Sequence, residues 1–111
     1  MDTLRRLVPS VNALIVFEAA GRLMSFSAAG RELKMTQAAV SYAVARLEEQ
    51  LGVPLFLREH RRVRLSEAGE KFHADVSLGL SHIQRSAQSL RAVATGSHVT
   101  LACSTAFAAF W

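Results

Sequence analysis

The stretch from Thr36 to Tyr42 places hydrogen-bonding side chains at the start of a predicted helix. Thr36 can cap that helix, and the free N–H groups of a helix start attract phosphate. The Gln37 amide can bridge a donor and an acceptor on one nucleic-acid base, most typically adenine, while the Ser41 hydroxyl can bond a base or the backbone. Simpler interpretations are open: Thr36 as a cap alone, Gln37 as solvated surface and Tyr42 packed sideways on the protein.

Basic residues are concentrated in the same part of the chain. Residues 1–65 contain ten Lys or Arg and six Asp or Glu, whereas residues 66–111 contain three of each. The formal net charge of +4 therefore lies in the first 65 residues, as expected if that part meets phosphate. The last basic cluster, which could instead be a solvated charge run, contains Arg58, Arg61, Arg62 and Arg64.

Catalytic chemistry has no matching set of residues in this sequence. Cys103 is the single cysteine, so neither an internal disulfide nor a Cys-based metal site can form, and the four histidines lack metal-ligand spacing. Glu48 and Glu49 are interpreted as exposed helix charges, and either is an alternative partner for Arg58. No glycine-rich phosphate loop is present. The sequence thus predicts no enzyme, no cofactor and no metal site.

The apolar residues suit a packed core and not a membrane. They make up 50% of the chain, but no run approaches the ~20 residues of a membrane span. The N-terminus has no apolar run of the signal-peptide type. We expect a cytoplasmic protein with no membrane partner.

Three helices are predicted in the first part of the chain, each opened by a capping hydroxyl. Ser10 caps a helix that ends near Met24, Ser25 caps one that runs to Leu33, and Thr36 caps one that ends at Gly52. Helical spacing turns one stripe of the third helix inward, namely Val40, Val44, Leu47 and Leu51. The outward face is small and polar near the helix start, and contains Ala38, Tyr42, Ala45 and Glu49, flanked by Gln37, Ser41 and Arg46.

A hairpin and a long helix are predicted next. The segments 55–58 and 63–65 alternate as paired strands do, with a polar tip at 59–62. Ser66 then caps a helix that runs to about Ala94, roughly 40 Å long. Its apolar spacing is typical of a coiled coil, so it needs a partner, most simply its own copy. The predicted dimerisation residues are Phe72, Val76, Leu80, Ile83, Ala87, Leu90 and Ala94.

Two short helices with a tight turn, followed by a basic hairpin, describe a winged helix-turn-helix. The second of these helices fits the major groove of double-stranded DNA, and the hairpin tip can reach phosphates or a narrow minor groove. The predicted DNA-binding residues are Thr36, Gln37, Ala38, Ser41, Tyr42, Arg46, Arg61 and Arg62. The alternative is a winged-helix module for protein interaction and dimerisation, which the confinement of the basic excess to the winged part disfavours.

The predicted organisation has three parts in a mainly α fold. Residues 1–65 form the winged helix-turn-helix, 66–94 the linker and dimerisation helix, and 95–111 a hinge with the truncated start of an α/β domain. In that last part Val99–Cys103 reads as a buried strand without its natural packing partners.

The chain resembles the N-terminal part of LysR-type transcriptional regulators. The resemblance is carried by FEAA at 17–20, SFSAA at 25–29, TQAAVS at 36–41, RLEEQLG at 46–52, LFLR at 55–58 and LSEAG at 65–69. The pattern is similar to the branch that contains glycine-cleavage activators and β-lactamase-gene regulators. Residues 99–111 resemble the start of that family's periplasmic-binding-like effector domain.

The resemblance implies a function, partners and residue roles. A homodimer regulates transcription by binding an inverted repeat in DNA, the full-length parent is usually a tetramer, and a small-molecule effector binds the domain that is missing here. Arg61 matches the residue that enters the minor groove, and Ser104 and Thr105 match the mouth of the effector pocket. The positions that match residues facing the major groove are Gln37, Ala38, Ser41 and Tyr42.

Four positions depart from the family pattern. Tyr42 and Ala43 stand where a basic residue or His is often followed by Gln, which removes contacts to phosphate or base. Gly30 stands where the family usually has Ala, at a helix-propensity cost of up to ~1 kcal/mol if exposed, or else to allow close packing. Lys34 occupies a turn position where Gly or Asn would relax a left-handed backbone more easily.

Overall fold

The computed structural model describes residues 1–59 and 62–94. Its elements in chain order are α1 (Asp2–Leu7), α2 (Val11–Leu23), α3 (Phe26–Leu33), α4 (Gln37–Leu51), β1 (Phe56–Glu59), β2 (Arg62–Leu65) and α5 (Glu67–Ala94). The strands form one antiparallel pair. The chain divides into two compact units, Met1–Ser77 and Leu78–Trp111. The expectation of a mainly α fold with a small hairpin is confirmed.

Four helices begin at the hydroxyls that the sequence indicated as caps. Each hydroxyl oxygen accepts a hydrogen bond from the backbone amide three residues later, at 2.9 to 3.1 Å. These bonds satisfy amides that the first turn of a helix leaves without a partner. The capping residues are Ser10 for α2, Ser25 for α3, Thr36 for α4 and Ser66 for α5.

Helix α1 is an element that the sequence patterns did not predict. It is only six residues long and buries none of them, so it has no apolar stripe to recognise. A side chain of α4 fixes its end instead, because Gln50 Nε2 donates to the carbonyl oxygens of Arg5 at 3.3 Å and Arg6 at 2.8 Å. Those carbonyls belong to the last helical turn, which has no further backbone amides to bind.

The hairpin is longer at its tip than the sequence indicated. Glu59 and Arg62, predicted to lie in the turn, are directly paired strand residues, so the predicted tip at 59–62 was wrong. Two residues remain between the strands. They are His60 and Arg61, and both lie outside the described residues. Leu55, predicted as strand, precedes β1 and is buried.

The core of the first unit centres on Phe17, which has no exposed surface. Its ring lies 5.6 Å from that of Phe56 and 5.3 Å from that of Phe72. The inward stripe predicted for α4 is confirmed, with three of its four residues buried (Val40, Val44 and Leu47) and Leu51 half-buried. Helix α4 therefore turns its opposite face to solvent.

Helix α5 begins against this core. Phe72 lies on Phe17, and Val76 is only 8% exposed. His73 Nε2 lies 2.9 Å from the carbonyl oxygen of Glu18, and a Cβ on Gly21 would come within 2.5 Å of the His73 ring. Both Phe72 and Val76 were predicted as dimerisation residues, but they already have packing partners in their own chain. Their part in a dimer stays a prediction.

Glu18 and Glu32 hold Arg22 between α2 and α3. Glu18 accepts from Arg22 Nε at 3.0 Å, and the Arg22 guanidinium also pairs with Glu32. The hydrogen bond from Arg22 lowers the pKa of the Glu32 carboxyl below its ordinary value, and the two carboxylates raise the pKa of Arg22. All three side chains keep contact with solvent, so screening limits what the cluster adds to stability.

The turn between α3 and α4 explains two departures from the family pattern. A Cβ on Gly30 would lie 2.6 Å from the carbonyl oxygen of Met35, so the glycine permits close packing. Lys34 adopts the left-handed region, with φ 58° and ψ 47°, where a side chain costs energy. The tight turn therefore depends on backbone approach at Gly30 and tolerates strain at Lys34.

Glu48 differs from the exposed helix charge that the sequence indicated. It is half-buried, and its Oε2 accepts hydrogen bonds from the amides of Leu55 at 2.7 Å and Phe56 at 3.1 Å. The carboxylate thus closes the loop from α4 to β1. Glu49 is exposed, as predicted.

Replacing Glu48 with Ala is expected to lower the free energy of unfolding by about 2 kcal/mol, because the amides of two buried residues, Leu55 and Phe56, lose a charged acceptor. Urea denaturation followed by circular dichroism measures the change. Glu49→Ala removes the same charge one position along the helix and should shift stability by less than ~0.5 kcal/mol. Equal stabilities for the two variants would contradict the assigned role of Glu48.

Candidate nucleic-acid interface

The outward face of α4 has the small and polar side chains that contact with the base edges of DNA requires. Tyr42 is 66% exposed, which rules out the interpretation that its ring packs on the protein in this unit. Ser41 is half-buried beside it. The other predicted contact residues of this helix and its cap are all exposed, namely Thr36, Gln37, Ala38 and Arg46. Because Ala38 is small, the surface near the helix start offers little steric hindrance to a groove.

An open cleft lies between the outward face of α4, the start of α3 and the hairpin. Of the predicted contact residues, it brings together Gln37, Ser41 and Arg62. It also contains residues that the sequence analysis did not select, namely Met24, Ser25, Phe26, Ser27, Arg58 and Val63. The charge of Arg58 and Arg62 and the hydroxyls of the cleft suit a polar, anionic partner.

Arg58 is placed differently from the sequence-based alternative. It was considered as a partner for Glu48 or Glu49, but its Nη2 donates to Ser41 Oγ at 3.4 Å. Its guanidinium carbon also lies 5.4 Å from the centroid of the Phe26 ring, within the range of a cation–π interaction. Sequence spacing could not indicate this contact, because the two hydrogen-bonded residues are 17 positions apart.

Two helix N-termini open at or beside this cleft. The caps of α3 and α4 are Ser25 and Thr36, and each uses its hydroxyl oxygen for a backbone amide. The remaining N–H groups of a first turn, together with the helix dipole, favour an anion. Thr36 is therefore a helix cap, and this role is compatible with a phosphate nearby.

The hairpin supplies exposed positive charge. Arg64 lies 3.7 Å from Glu59, and both side chains are more than half exposed, so this pair is weak. Arg62 is exposed at the end of β2. Arg61, the predicted minor-groove residue, lies outside the described residues.

In the second unit, the described residues are those of α5 from Leu78 to Ala94. Among the predicted dimerisation residues, Ile83 is 62% and Leu90 is 69% exposed, while Leu80 and Ala94 are half-buried and Ala87 is exposed. Two further apolar side chains outside the predicted set, Leu78 and Val93, are also exposed. This exposure leaves Ile83 and Leu90 accessible to a partner, and their role in dimerisation stays a prediction.

Residues 1–59 and 62–94 contain neither a cluster of metal-binding side chains nor a helix suited to crossing a membrane. No cluster of three or more His, Cys, Asp or Glu side chains there is placed to hold a metal ion. No helix in that part of the chain is long and apolar enough to cross a bilayer. Cys103, Ser104 and Thr105 lie outside the described residues.

Comparison with known proteins agrees with this geometry. Residues 11–70 match the sequence model of the bacterial regulatory helix-turn-helix protein family, lysR. The glycine cleavage system transcriptional activator of Escherichia coli K12 is 38% identical over 104 residues, which cover 94% of this chain and 34% of that protein. The chain thus spans about a third of the length of this relative.

Solved structures of the same class superpose on the chain. A complex of BenM_DBD with catB site 1 DNA matches with a TM-score of 0.71 and 28% identity, covering 80% of this chain and 99% of that one. A CbnR_DBD–DNA complex matches with a TM-score of 0.66 and 32% identity, covering 77% and 98%. The family match extends from the capped start of α2 through the helix-turn-helix and hairpin into α5, and the chain therefore belongs to the LysR family of bacterial regulatory helix-turn-helix proteins.

Proposed function

We propose that this chain is the DNA-binding and dimerisation part of a transcription regulator, and that it binds double-stranded DNA sequence-specifically as a homodimer. The observation that carries the proposal is the exposed, small and polar face of α4 beside a cleft that the basic hairpin completes. The similar BenM_DBD and CbnR_DBD chains were solved in DNA complexes, which supports the same partner for this chain.

The dimensions of DNA assign a part to each element. An α-helix fits the major groove, where every base pair presents its own pattern of donors and acceptors. Helix α4 would enter that groove with Gln37 and Ala38 foremost, and Ser41, Tyr42 and Arg46 would follow along the same side. Thr36 would lie near a phosphate, and the hairpin arginines Arg61 and Arg62 would lie along the backbone or in the minor groove.

The target would be an inverted repeat. Two identical winged helices joined by a two-fold axis present their recognition helices about one helical turn apart, so the half-sites have opposite orientation. The exposed apolar residues Ile83 and Leu90 supply the surface for pairing. In the longer parent protein we expect a tetramer and an effector-binding domain that follows α5.

The chain is proposed to act without catalysis and in the cytoplasm. Its relatives are transcriptional activators and regulators, and the cleft holds hydrogen-bonding groups and arginines. These groups recognise nucleic acid and need no cofactor.

In vitro selection tests the proposed function. The purified chain is mixed with random duplex DNA at about 150 mM salt, which suppresses non-specific binding, and the bound fraction is sequenced. We expect an enriched inverted repeat. A folded, dimeric chain that enriches no sequence would contradict the proposal and favour the alternative, a winged-helix module for protein interaction.

Gln37→Ala is expected to weaken binding to the selected duplex by roughly tenfold and to relax base preference at one position per half-site, because a bidentate amide–base contact is lost. Competition between duplexes that differ at single positions measures both effects. Gln88→Ala, an exposed glutamine on α5, serves as the control and should bind like the unmodified chain. An unchanged base preference in Gln37→Ala would remove this residue from the recognition set.

A further inference from the structure

Arg58 connects three elements of the candidate interface. It lies on β1, its guanidinium is placed over the ring of Phe26 at the start of α3, and its Nη2 donates to Ser41 Oγ on α4. Within the described part of the cleft, Arg58 alone makes a hydrogen bond to one helix and a cation–π contact with the other. Arg58 therefore links the hairpin to both helices at the cleft, in addition to the hydrogen bond by which Glu48 of α4 holds the amide of Phe56.

The surface beneath Arg58 is fixed. Phe26 is only 6% exposed, and its ring meets that of Phe56 edge to face, with centroids 5.2 Å apart. Phe56 itself contacts Phe17 in the core. Because both rings are held by the core, the guanidinium rests on a rigid platform, and less side-chain entropy is lost when it forms a further bond.

The contact also determines which way the Ser41 hydroxyl can bond. A serine hydroxyl has one hydrogen to donate and two lone pairs, whereas a guanidinium only donates. When Arg58 donates to Ser41 Oγ, it leaves the hydroxyl hydrogen for an acceptor elsewhere. In DNA such acceptors are the base atoms N7, O6 and O4 and the phosphate oxygens.

We propose that Arg58 is a positioning residue that makes Ser41 a hydrogen-bond donor to DNA, to either a base or a phosphate. This inference rests on the proposed function. Arg58 acts on the target through Ser41, and losing either partner therefore removes the same contact.

A double-mutant cycle tests the proposal with the 111-residue chain. Affinities are measured for the selected duplex and for a scrambled duplex at one salt concentration. We expect Arg58→Met and Ser41→Ala each to weaken binding to the selected duplex by roughly tenfold, and the double variant to bind no more weakly than about the weaker single variant. Both single variants should relax base preference at the same position, or weaken both duplexes equally if the acceptor is a phosphate.

Arg64→Met is the matched control. It removes the same charge from the same hairpin, but Arg64 pairs with Leu57, so it lies on the face opposite to Arg58. In the double variant, the fold-losses of affinity caused by Arg64→Met and Ser41→Ala should multiply. Arg58→Lys controls for a general folding defect, because lysine keeps the aliphatic stem and the positive charge but lacks the planar guanidinium. It should show the same loss of energetic coupling to Ser41.

The outcomes separate the two hypotheses. If the unmodified chain prefers the selected duplex but the effects of Arg58→Met and Ser41→Ala multiply, the positioning role is wrong and the proposed function stands. If the unmodified chain prefers no duplex, the proposed function and the positioning role are both wrong.

Discussion

Gly69→Ala is expected to lower the free energy of unfolding of the first unit by about 3 kcal/mol, a large fraction of the roughly 5–15 kcal/mol that stabilises a typical domain. A Cβ at this position would lie 2.0 Å from the carbonyl oxygen of Leu55 and 2.9 Å from its carbonyl carbon. Both are backbone atoms, so no side chain can rotate to make room.

The segment that would have to move is held from several sides. The carbonyl oxygen of Leu55 accepts the amide of Ser66 at 2.9 Å, and Ser66 Oγ donates to the carbonyl oxygen of Pro54 at 2.7 Å. Glu48 holds the amide of Leu55 from the other side. Moving the backbone away from a new methyl group would break bonds that position both the hairpin and the start of α5.

The same helix offers a control with the opposite sign. A Cβ on Gly79 meets nothing within 4 Å, so Gly79→Ala should increase helix stability by roughly 0.5–1 kcal/mol. Urea and thermal denaturation followed at 222 nm compare the two variants. A Gly69→Ala variant as stable as the unmodified chain would contradict the close approach of α5 to Leu55.

Ile83→Asp is expected to convert the proposed dimer to a monomer and to weaken binding to an inverted repeat by roughly 100-fold or more. Ile83 is 62% exposed on α5, and a carboxylate placed in a paired apolar seam would be desolvated without a partner. Binding then loses the advantage that the second half-site is bound intramolecularly. Analytical ultracentrifugation measures the mass, and fluorescence anisotropy measures the affinity.

Leu78→Asp provides the matched control for this prediction. Leu78 is 67% exposed on the same helix but lies roughly 140° around the axis from Ile83. It should leave both the mass and the affinity unchanged. If Ile83→Asp stayed dimeric, or if Leu78→Asp became monomeric, the predicted seam would be wrong. A monomeric Ile83→Asp variant that still bound the repeat tightly would contradict the proposal that a dimer binds both half-sites.

The short-range features of this protein could be predicted from its sequence. Ser10, Ser25, Thr36 and Ser66 are helix caps, and each bonds an amide only three residues away. The buried stripe and exposed face of α4 follow from helical periodicity alone. The family resemblance rested on the same segments, and the match to residues 11–70 confirms it.

Contacts between distant residues were decided only by the tertiary structure. Pairing of Arg58 with Glu48 or Glu49 was one alternative from the sequence, but the hairpin places Arg58 3.4 Å from Ser41 and over Phe26. Glu48 looks like a surface charge in the sequence, yet the loop to β1 folds back onto its carboxylate. The periodicity of a sequence does not indicate which distant element packs beside such a side chain.

Helix α5 combines local features that the sequence predicts with tertiary contacts that it does not. Its length, cap and apolar stripe are local properties, and the sequence predicted all three. The sequence assigned the whole stripe to a partner copy, whereas Phe72 and Val76 are packed or buried within their own chain and Ile83 and Leu90 are exposed. The type and spacing of an apolar residue indicate that it will be buried. They do not indicate whether its own chain or a partner copy buries it. That choice depends on where α2 and the hairpin lie, and only the assembled fold determines it.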